Sequence, residues 1–168
     1  DGGDTEWANM YSAYDSLPES LRDRIGGRRA VHQFDLVDNP RFGPPADMKE
    51  KDLKGSIWEP KSAEVKARTP DSVHPIVRTH PITGRKALFA SRRFTVRVVD
   101  MAPDESESLL LELFDYAERP EHIYHHRWSK NQLLLWDNRC TVHLACGGVP
   151  DSQIRTMQRT TVRGKVPV

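Results

Sequence analysis

The chain is poor in cysteine. Cys140 and Cys146 are the only two in 168 residues. On one extended strand they would stand roughly 20 Å apart at ~3.3 Å per residue, whereas a disulfide needs Cα atoms within about 7 Å. A cross-linked framework is thereby excluded unless a sharp turn brings the two together, and a reduced cytosolic pair is the expectation. Net charge is nearly absent too, at +1 with a pI of about 8.0, which gives no reason to expect nucleic acid or an acidic surface as partner. No apolar run approaches the ~20 residues of a membrane span, and no basic, apolar and small-residue leader opens the chain. The composition therefore points to a soluble, cytoplasmic protein that takes neither nucleic acid nor membrane as partner. Internal repeats are lacking, and so is an initiating Met. Asp1-Gly2-Gly3-Asp4-Thr5 reads as a turn inside a domain, so residues 1–168 are expected to be a single, N-terminally truncated domain.

What the sequence does contain is a series of short elements. Ser16 and Glu19 have capping-box spacing and Pro18 suits a first turn, which predicts a helix through Leu21 and Ile25 that stops at Gly26-Gly27. Arg28 to Phe34 reads as a strand. Residues 37–73 carry Pro40, Pro44, Pro45, Pro60 and Pro70 with no sustained period, which predicts a long lid or disordered loop that includes a helical turn. From His74 to Pro81 and from Lys86 to Phe89 the pattern is that of a hairpin turning at Thr83-Gly84. Phe94 to Val99 is strand-like. A helix opens at Pro103, with Leu109, Leu110, Leu113, Phe114 and Ala117 on one face. Three further strands are predicted, at Ile123–Trp128, Gln132–Trp136 and Thr156–Val162. Short strands with a helix across them suggest a β-sandwich or open barrel.

Two groups of residues carry chemistry. His143 follows the apolar stretch Leu133-Leu134-Leu135-Trp136 and a polar turn, where an imidazole can point into a barrel mouth as a metal ligand or serve as a satisfied structural residue. Arg155 and Arg159 stand four apart, so on a strand they share a face with Met157 and Thr161, about 13 Å apart. Facing inward, such guanidinium groups need anions, and a carboxylate bound bidentately is the natural partner. On an edge strand they would simply be solvated. His125 and His126 occupy neighbouring strand positions and so point to opposite faces, which argues against a shared metal role. Asp137, Arg127 and Arg139 read as ion-pair or turn residues.

The segments Gly2-Gly3-Asp4-Thr5-Glu6-Trp7-Ala8-Asn9-Met10, Arg78-Thr79-His80-Pro81, Gly84-Arg85-Lys86, Trp136-Asp137-Asn138-Arg139 through His143, and Arg155-Thr156-Met157-Gln158-Arg159-Thr160-Thr161-Val162 together resemble the taurine/2,4-dichlorophenoxyacetate dioxygenase family. The resemblance spans nearly the whole chain outside residues 37–73. It implies a mainly β fold with flanking helices, a double-stranded β-helix of the jelly-roll, cupin-like type, incomplete at its N-terminus. It also implies an Fe(II)- and 2-oxoglutarate-dependent oxygenase acting with dioxygen on a small anionic substrate such as a sulfonate, sulfate ester or aryloxy acid, and releasing succinate and CO2. His143 matches the distal histidine of a 2-His-1-carboxylate iron site. Thr5 and Arg155 match the pair that holds the far carboxylate of 2-oxoglutarate. Arg159 matches a substrate-anion position, and Trp136 an aromatic pocket wall.

One departure from the family pattern bears on activity. The other two iron ligands of the family form a His-x-Asp motif upstream of the Gly-Gly-Asp-Thr segment, and none of the seven histidines has Asp or Glu two residues later. The chain by itself is therefore expected to be inactive. The competing readings are a non-catalytic β-helix binding module, and a homo-oligomer whose second subunit supplies the missing ligands.

Overall fold

The structure is a computed structural model that describes residues 2–35, 39, 41, 43, 44, 46–49, 53, 54, 56, 58–150 and 152–164. Its architecture is set by three antiparallel sheets with helices packed between and across them. In the first sheet, β1 (Thr5–Asn9) lies between β7 (Ile123–His126) and β8 (Thr141–Ala145). In the second, β2 (Arg29–His32) lies between β3 (Ser72–Pro75) and β6 (Thr95–Val98). A hairpin of β4 (Val77–Thr79) and β5 (Lys86–Leu88) forms the third. Antiparallel sheets with flanking helices are the jelly-roll class that the resemblance implied.

Asn9 ends β1 and caps α1 (Met10–Asp15), its side-chain oxygen accepting from the amides of Tyr11 at 3.1 Å and Ser12 at 3.2 Å. That is the usual use of Asn where backbone donors have no helical partner. Helix α2 (Glu19–Ile25) stops at Gly26 and Gly27 as expected, Gly27 having φ 70°. Its predicted capping box does not form. Ser16 instead closes α1, its hydroxyl donating to the Ala13 carbonyl at 2.9 Å and lying 3.0 Å from His122 Nε2. Helix α4 (Pro103–Ala117) buries Leu109, Leu110, Leu113, Phe114 and Ala117, the stripe that its 3.6-residue period predicts. These side chains meet Met10, Leu21, Ile25, Ile76, Leu88 and Val98 in the core.

The stretch from His74 to Pro81 is not one strand. It changes sheets at the fully buried Ile76, whose amide donates to the Arg28 carbonyl at 3.0 Å and whose carbonyl accepts from the Phe89 amide. Pro75, with no amide to donate, marks the break. The predicted lid or disordered loop at 37–73 falls partly outside the described residues. The described part contains α3 (Ala63–Arg68), capped by Ser62, and the start of β3. It is also pinned by Arg41, which grips Glu107 at 2.7 and 2.9 Å and the carbonyls of Thr95 and Val96.

Two predicted strands are absent among the described residues. Gln132–Trp136 has no sheet partner, and Leu133 and Leu135 are 85% and 82% exposed. Thr156–Val162 is likewise exposed and unpaired. Alternation with β-branched residues gives a segment strand character, but only a neighbouring edge turns it into a strand. The sequence reading placed His143 after a strand and a turn, whereas it lies in the middle of β8. No helix among the described residues is long and apolar enough to cross a membrane.

Candidate functional site

The register of the first sheet decides which side chains share a face. Thr5 is opposite Ala145 on β8 and His126 on β7, while Trp7 is opposite His143 and Tyr124. Because strand side chains alternate, Thr5, Trp7, His143, His126 and Tyr124 project to one side. The other side carries Glu6, Ala8, Leu144 and His125.

On the first face Trp7 is the centre. It is buried, and its ring stands 5.2 Å from that of Trp136 and 6.5 Å from that of His143, which in turn lies 5.4 Å from Trp136. His143 is partly exposed, stacked on the Trp7 indole and edge-to-face with that of Trp136. Desolvation there lowers its pKa, and the positive charges of Arg159 and Arg93 lower it further. All three effects favour the neutral imidazole, the form that ligates metals. Trp136, with Trp7, Tyr124 and Leu135, also lines an open, largely apolar cleft of about 390 Å³.

Thr5 is buried, and its hydroxyl oxygen accepts the indole N–H of Trp128 at 2.9 Å. With that lone pair engaged, the hydroxyl proton is free to be donated elsewhere. Arg155 packs against the glycine segment that leads into β1. Gly2 and Gly3, at φ 136° and 77°, run against Gly147 and Gly148, and the Gly3 amide donates to the Gly147 carbonyl at 2.6 Å. A Cβ at Gly3 would meet Arg155 Cδ at 2.5 Å and Nε at 2.6 Å. The missing side chain is thus the space through which Arg155 passes, two residues before Thr5. This is close packing that only glycine at positive φ allows.

The Asp137-Asn138-Arg139 turn that leads into β8 is held as a unit. Arg139 grips Asp137 at 2.6 to 3.0 Å. Buried His80 accepts the amides of Ile82 and Thr83 at Nδ1, which leaves Nε2–H to donate to Asp137 at 3.1 Å. Arg139, with His80 adding to it, holds the Asp137 carboxyl well below the usual carboxylate range. These contacts tie β8, and so His143, to the β4–β5 hairpin.

The structure thus brings Thr5, Trp136 and His143 to one face of the first sheet, sets Arg155 against Gly3 and leaves Arg159 near enough for its charge to act on His143. It does so without the strand that was to align the arginines: residues 155–159 are irregular and exposed. Sequence reasoning missed Trp128 as the partner of Thr5, Arg93 as a second cation near His143, and the glycine contact that admits Arg155. The alternation of Tyr124, His126 and Trp128 was the one available signal for the first. A fit to iron is partial. His143 is suited as a ligand, yet among the described residues no group of three His, Cys, Asp or Glu side chains close enough to share a metal includes it. His126, on the same face, pairs with Tyr124 and Gln132 instead.

The fold is of the jelly-roll class, and one face of its first sheet carries a histidine whose pKa is lowered and a threonine hydroxyl with a free proton. Comparison with known proteins places it further: the chain belongs to the taurine catabolism dioxygenase TauD, TfdA family, whose model matches residues 1–161. It is 35% identical to the (S)-phenoxypropionate/alpha-ketoglutarate-dioxygenase of Sphingobium herbicidovorans over 86% of this chain and 47% of that protein. It is 33% identical to the alpha-ketoglutarate-dependent sulfate ester dioxygenase of Pseudomonas putida, over 99% of this chain and 52% of that protein. The crystal structure of AAD-2 in complex with Mn(II) and N-oxalylglycine superposes with a TM-score of 0.77 at 31% identity, over 99% of this chain and 59% of that one. The chain spans about half the length of the curated relatives it matches.

Proposed function

We propose that the protein to which this chain belongs is an Fe(II)- and 2-oxoglutarate-dependent dioxygenase. It hydroxylates a small anionic organic substrate of the sulfonate, sulfate ester or aryloxy acid type and releases succinate and CO2. The observation that carries this reading is the packing of Arg155 against Gly3, two residues before Thr5, whose strand face also holds His143. Arg155 and the Thr5 hydroxyl would bind the far carboxylate of 2-oxoglutarate, the guanidinium by charge-assisted paired hydrogen bonds and the hydroxyl by donating its free proton. Trp128 holds that hydroxyl in place. His143 would be one iron ligand, kept neutral by the indoles and by Arg159. When bound, iron supplies the activation of dioxygen and the oxidation of the substrate. Arg159 would hold the substrate's anionic group, with Trp136 and Trp7 as an apolar wall that excludes water.

Binding of 2-oxoglutarate or N-oxalylglycine, followed by calorimetry, tests the clamp. Arg155→Ala is expected to weaken binding at least tenfold, the loss of roughly 1.5–3 kcal/mol that follows removal of a hydrogen bond to a charged group. Unchanged affinity would refute the assignment. Arg159→Ala should raise KM for the anionic substrate more than for 2-oxoglutarate.

A second reading is favoured by one specific observation, the lack of partner ligands around His143 among the described residues. On that reading the chain is a β-helix module that binds a carboxylate without iron. Succinate formation by a chain that also carries a His-x-Asp segment, and its loss on His143→Ala, distinguishes the two.

A further inference from the structure

The opposite face of the same sheet carries a second cluster that the proposed oxygenase chemistry does not use. Glu6 on β1 is opposite His125 on β7, and the Cys146 amide donates to the Asp4 carbonyl at 2.9 Å, so four polar side chains line up across three adjoining strands. His125 Nδ1 lies 3.0 Å from Glu6 Oε1 and Nε2 lies 2.9 Å from Asp4 Oδ2. One ligand atom from each of Glu6, His125 and Cys146 falls within 4.8 Å of the others.

This arrangement attracts a cation. A neutral imidazole has one N–H, and an ionised carboxylate only accepts, so with a carboxylate at each ring nitrogen one contact sets lone pair against negative charge. A second proton relieves it, and a metal ion at Nδ1 can take that proton's place. Among the described residues Asp4 and Glu6 have no Lys or Arg ion-pair partner. The other cluster of similar composition, His80, Asp137 and Cys140, differs on this point, because Arg139 already occupies its carboxylate.

We propose that Glu6, His125 and Cys146 form a site for a borderline-soft divalent cation of the Zn(II) class, with Asp4 orienting His125 through Nε2–H. Oxygen, nitrogen and sulfur donors in one set match Zn(II). Bonds of about 2.0–2.3 Å in tetrahedral geometry separate ligand atoms by roughly 3.3–3.8 Å, so modest side-chain movement from the present spacing closes the site and leaves a fourth position for water. A carboxylate on the far ring nitrogen of a ligating histidine is the usual outer partner at zinc centres, fixing the tautomer and the ring. The Cys146 thiol is held protonated by desolvation and by the Glu6 and Asp4 charges, so binding would release its proton to solvent. The bound ion would join β7, β1 and β8 behind the face that presents Thr5 and His143. The inference is independent of the oxygenase reading.

The test is a titration of the chelator-treated, desalted protein with Co(II) and then Zn(II), reading thiolate-to-Co(II) charge-transfer absorption in the near ultraviolet. One ion per chain is expected, with the band displaced by Zn(II), absent in Cys146→Ser and retained in His143→Ala. Asp4→Asn should weaken binding about 10- to 100-fold, the range for an outer partner. Zn(II) should also slow alkylation of Cys146, but not of Cys140, in peptide mapping of the unaltered chain, a readout that needs no variant to fold. A band that survives Cys146→Ser, or alkylation of Cys146 that Zn(II) does not slow, would overturn the proposal.

Discussion

At Gly3 the backbone has φ 77° and the stem of Arg155 fills the space that a Cβ would take. Gly27 has a similar φ of 70° with nothing within 4 Å of a built Cβ. The pair separates two effects that a single substitution would mix. Gly27→Ala should cost about 1–2 kcal/mol of stability, from left-handed backbone strain alone, and leave 2-oxoglutarate binding unchanged. Gly3→Ala should add displacement of Arg155 and weaken binding at least tenfold. Melting temperature and calorimetry on both variants check this. His32 offers a pH prediction at the same scale. Burial against Phe89, with the charge of His74 adding to it, pushes its pKa from 6.5 down to about 4. The unfolded chain therefore takes up a proton that the folded one refuses. The stability this group contributes is complete above pH 6.5 and is lost as pH falls toward 4, by at most about 3 kcal/mol. Urea unfolding at several pH values should show this slope, and His32→Leu should flatten it. Asp137 acts lower: its depressed pKa contributes stability above the ordinary carboxylate range that is lost as pH drops below 3.8. None of these microenvironments was legible in the sequence. Thr5 and Arg155 were reached through the family resemblance, because the residue-level argument required a strand that does not form.

Helix α4 shows what is legible at the scale of elements. Its buried positions repeat at helical spacing, so the side chains that reach the core could be named from the pattern alone. Leu113→Ala is expected to destabilise by about 2–5 kcal/mol in chemical denaturation, the range for emptying a packed leucine site. Leu111, on the outer side at 37% exposure, should cost well under half as much. Asn9→Ala, which removes the cap of α1, should cost about 0.5–2 kcal/mol. Strands were less legible. Gln132–Trp136 has the hydrophobicity of a strand and is not one. β8 has the mixed composition Thr-Val-His-Leu-Ala and is one, because β1, more than 130 residues earlier in the chain, supplies its edge. Helical hydrogen bonds close within four residues, whereas a strand's bonds depend on a distant segment.

On the scale of the whole molecule, large apolar side chains remain in solvent on the irregular C-terminal stretches. Leu133, Leu135, Ile154 and Val162 are 82–95% exposed. Leu133 and Leu135, two residues apart in one irregular stretch, put two leucines side by side in water. The isolated chain should bind a hydrophobic reporter dye and self-associate as concentration rises. Replacing Leu133 and Leu135 together with Gln should reduce both in light scattering and dye fluorescence, with little change in melting temperature because neither side chain is in the core.

By itself the sequence determined helices α2 and α4, the hairpin and the family, and through the family it proposed Thr5, His143, Arg155 and Arg159 as site residues. Those features rest on local period, turn chemistry and the order of motifs, all of which are written along the chain. Only the tertiary structure decided that β1 is the central strand between β7 and β8. That placement puts Thr5 and His143 on one face and Glu6 and His125 on the other. It also decided that the stem of Arg155 packs into the gap left by Gly3. Register and close approach are set by pairing between segments remote in sequence, where a shift of one residue exchanges the two faces of a strand.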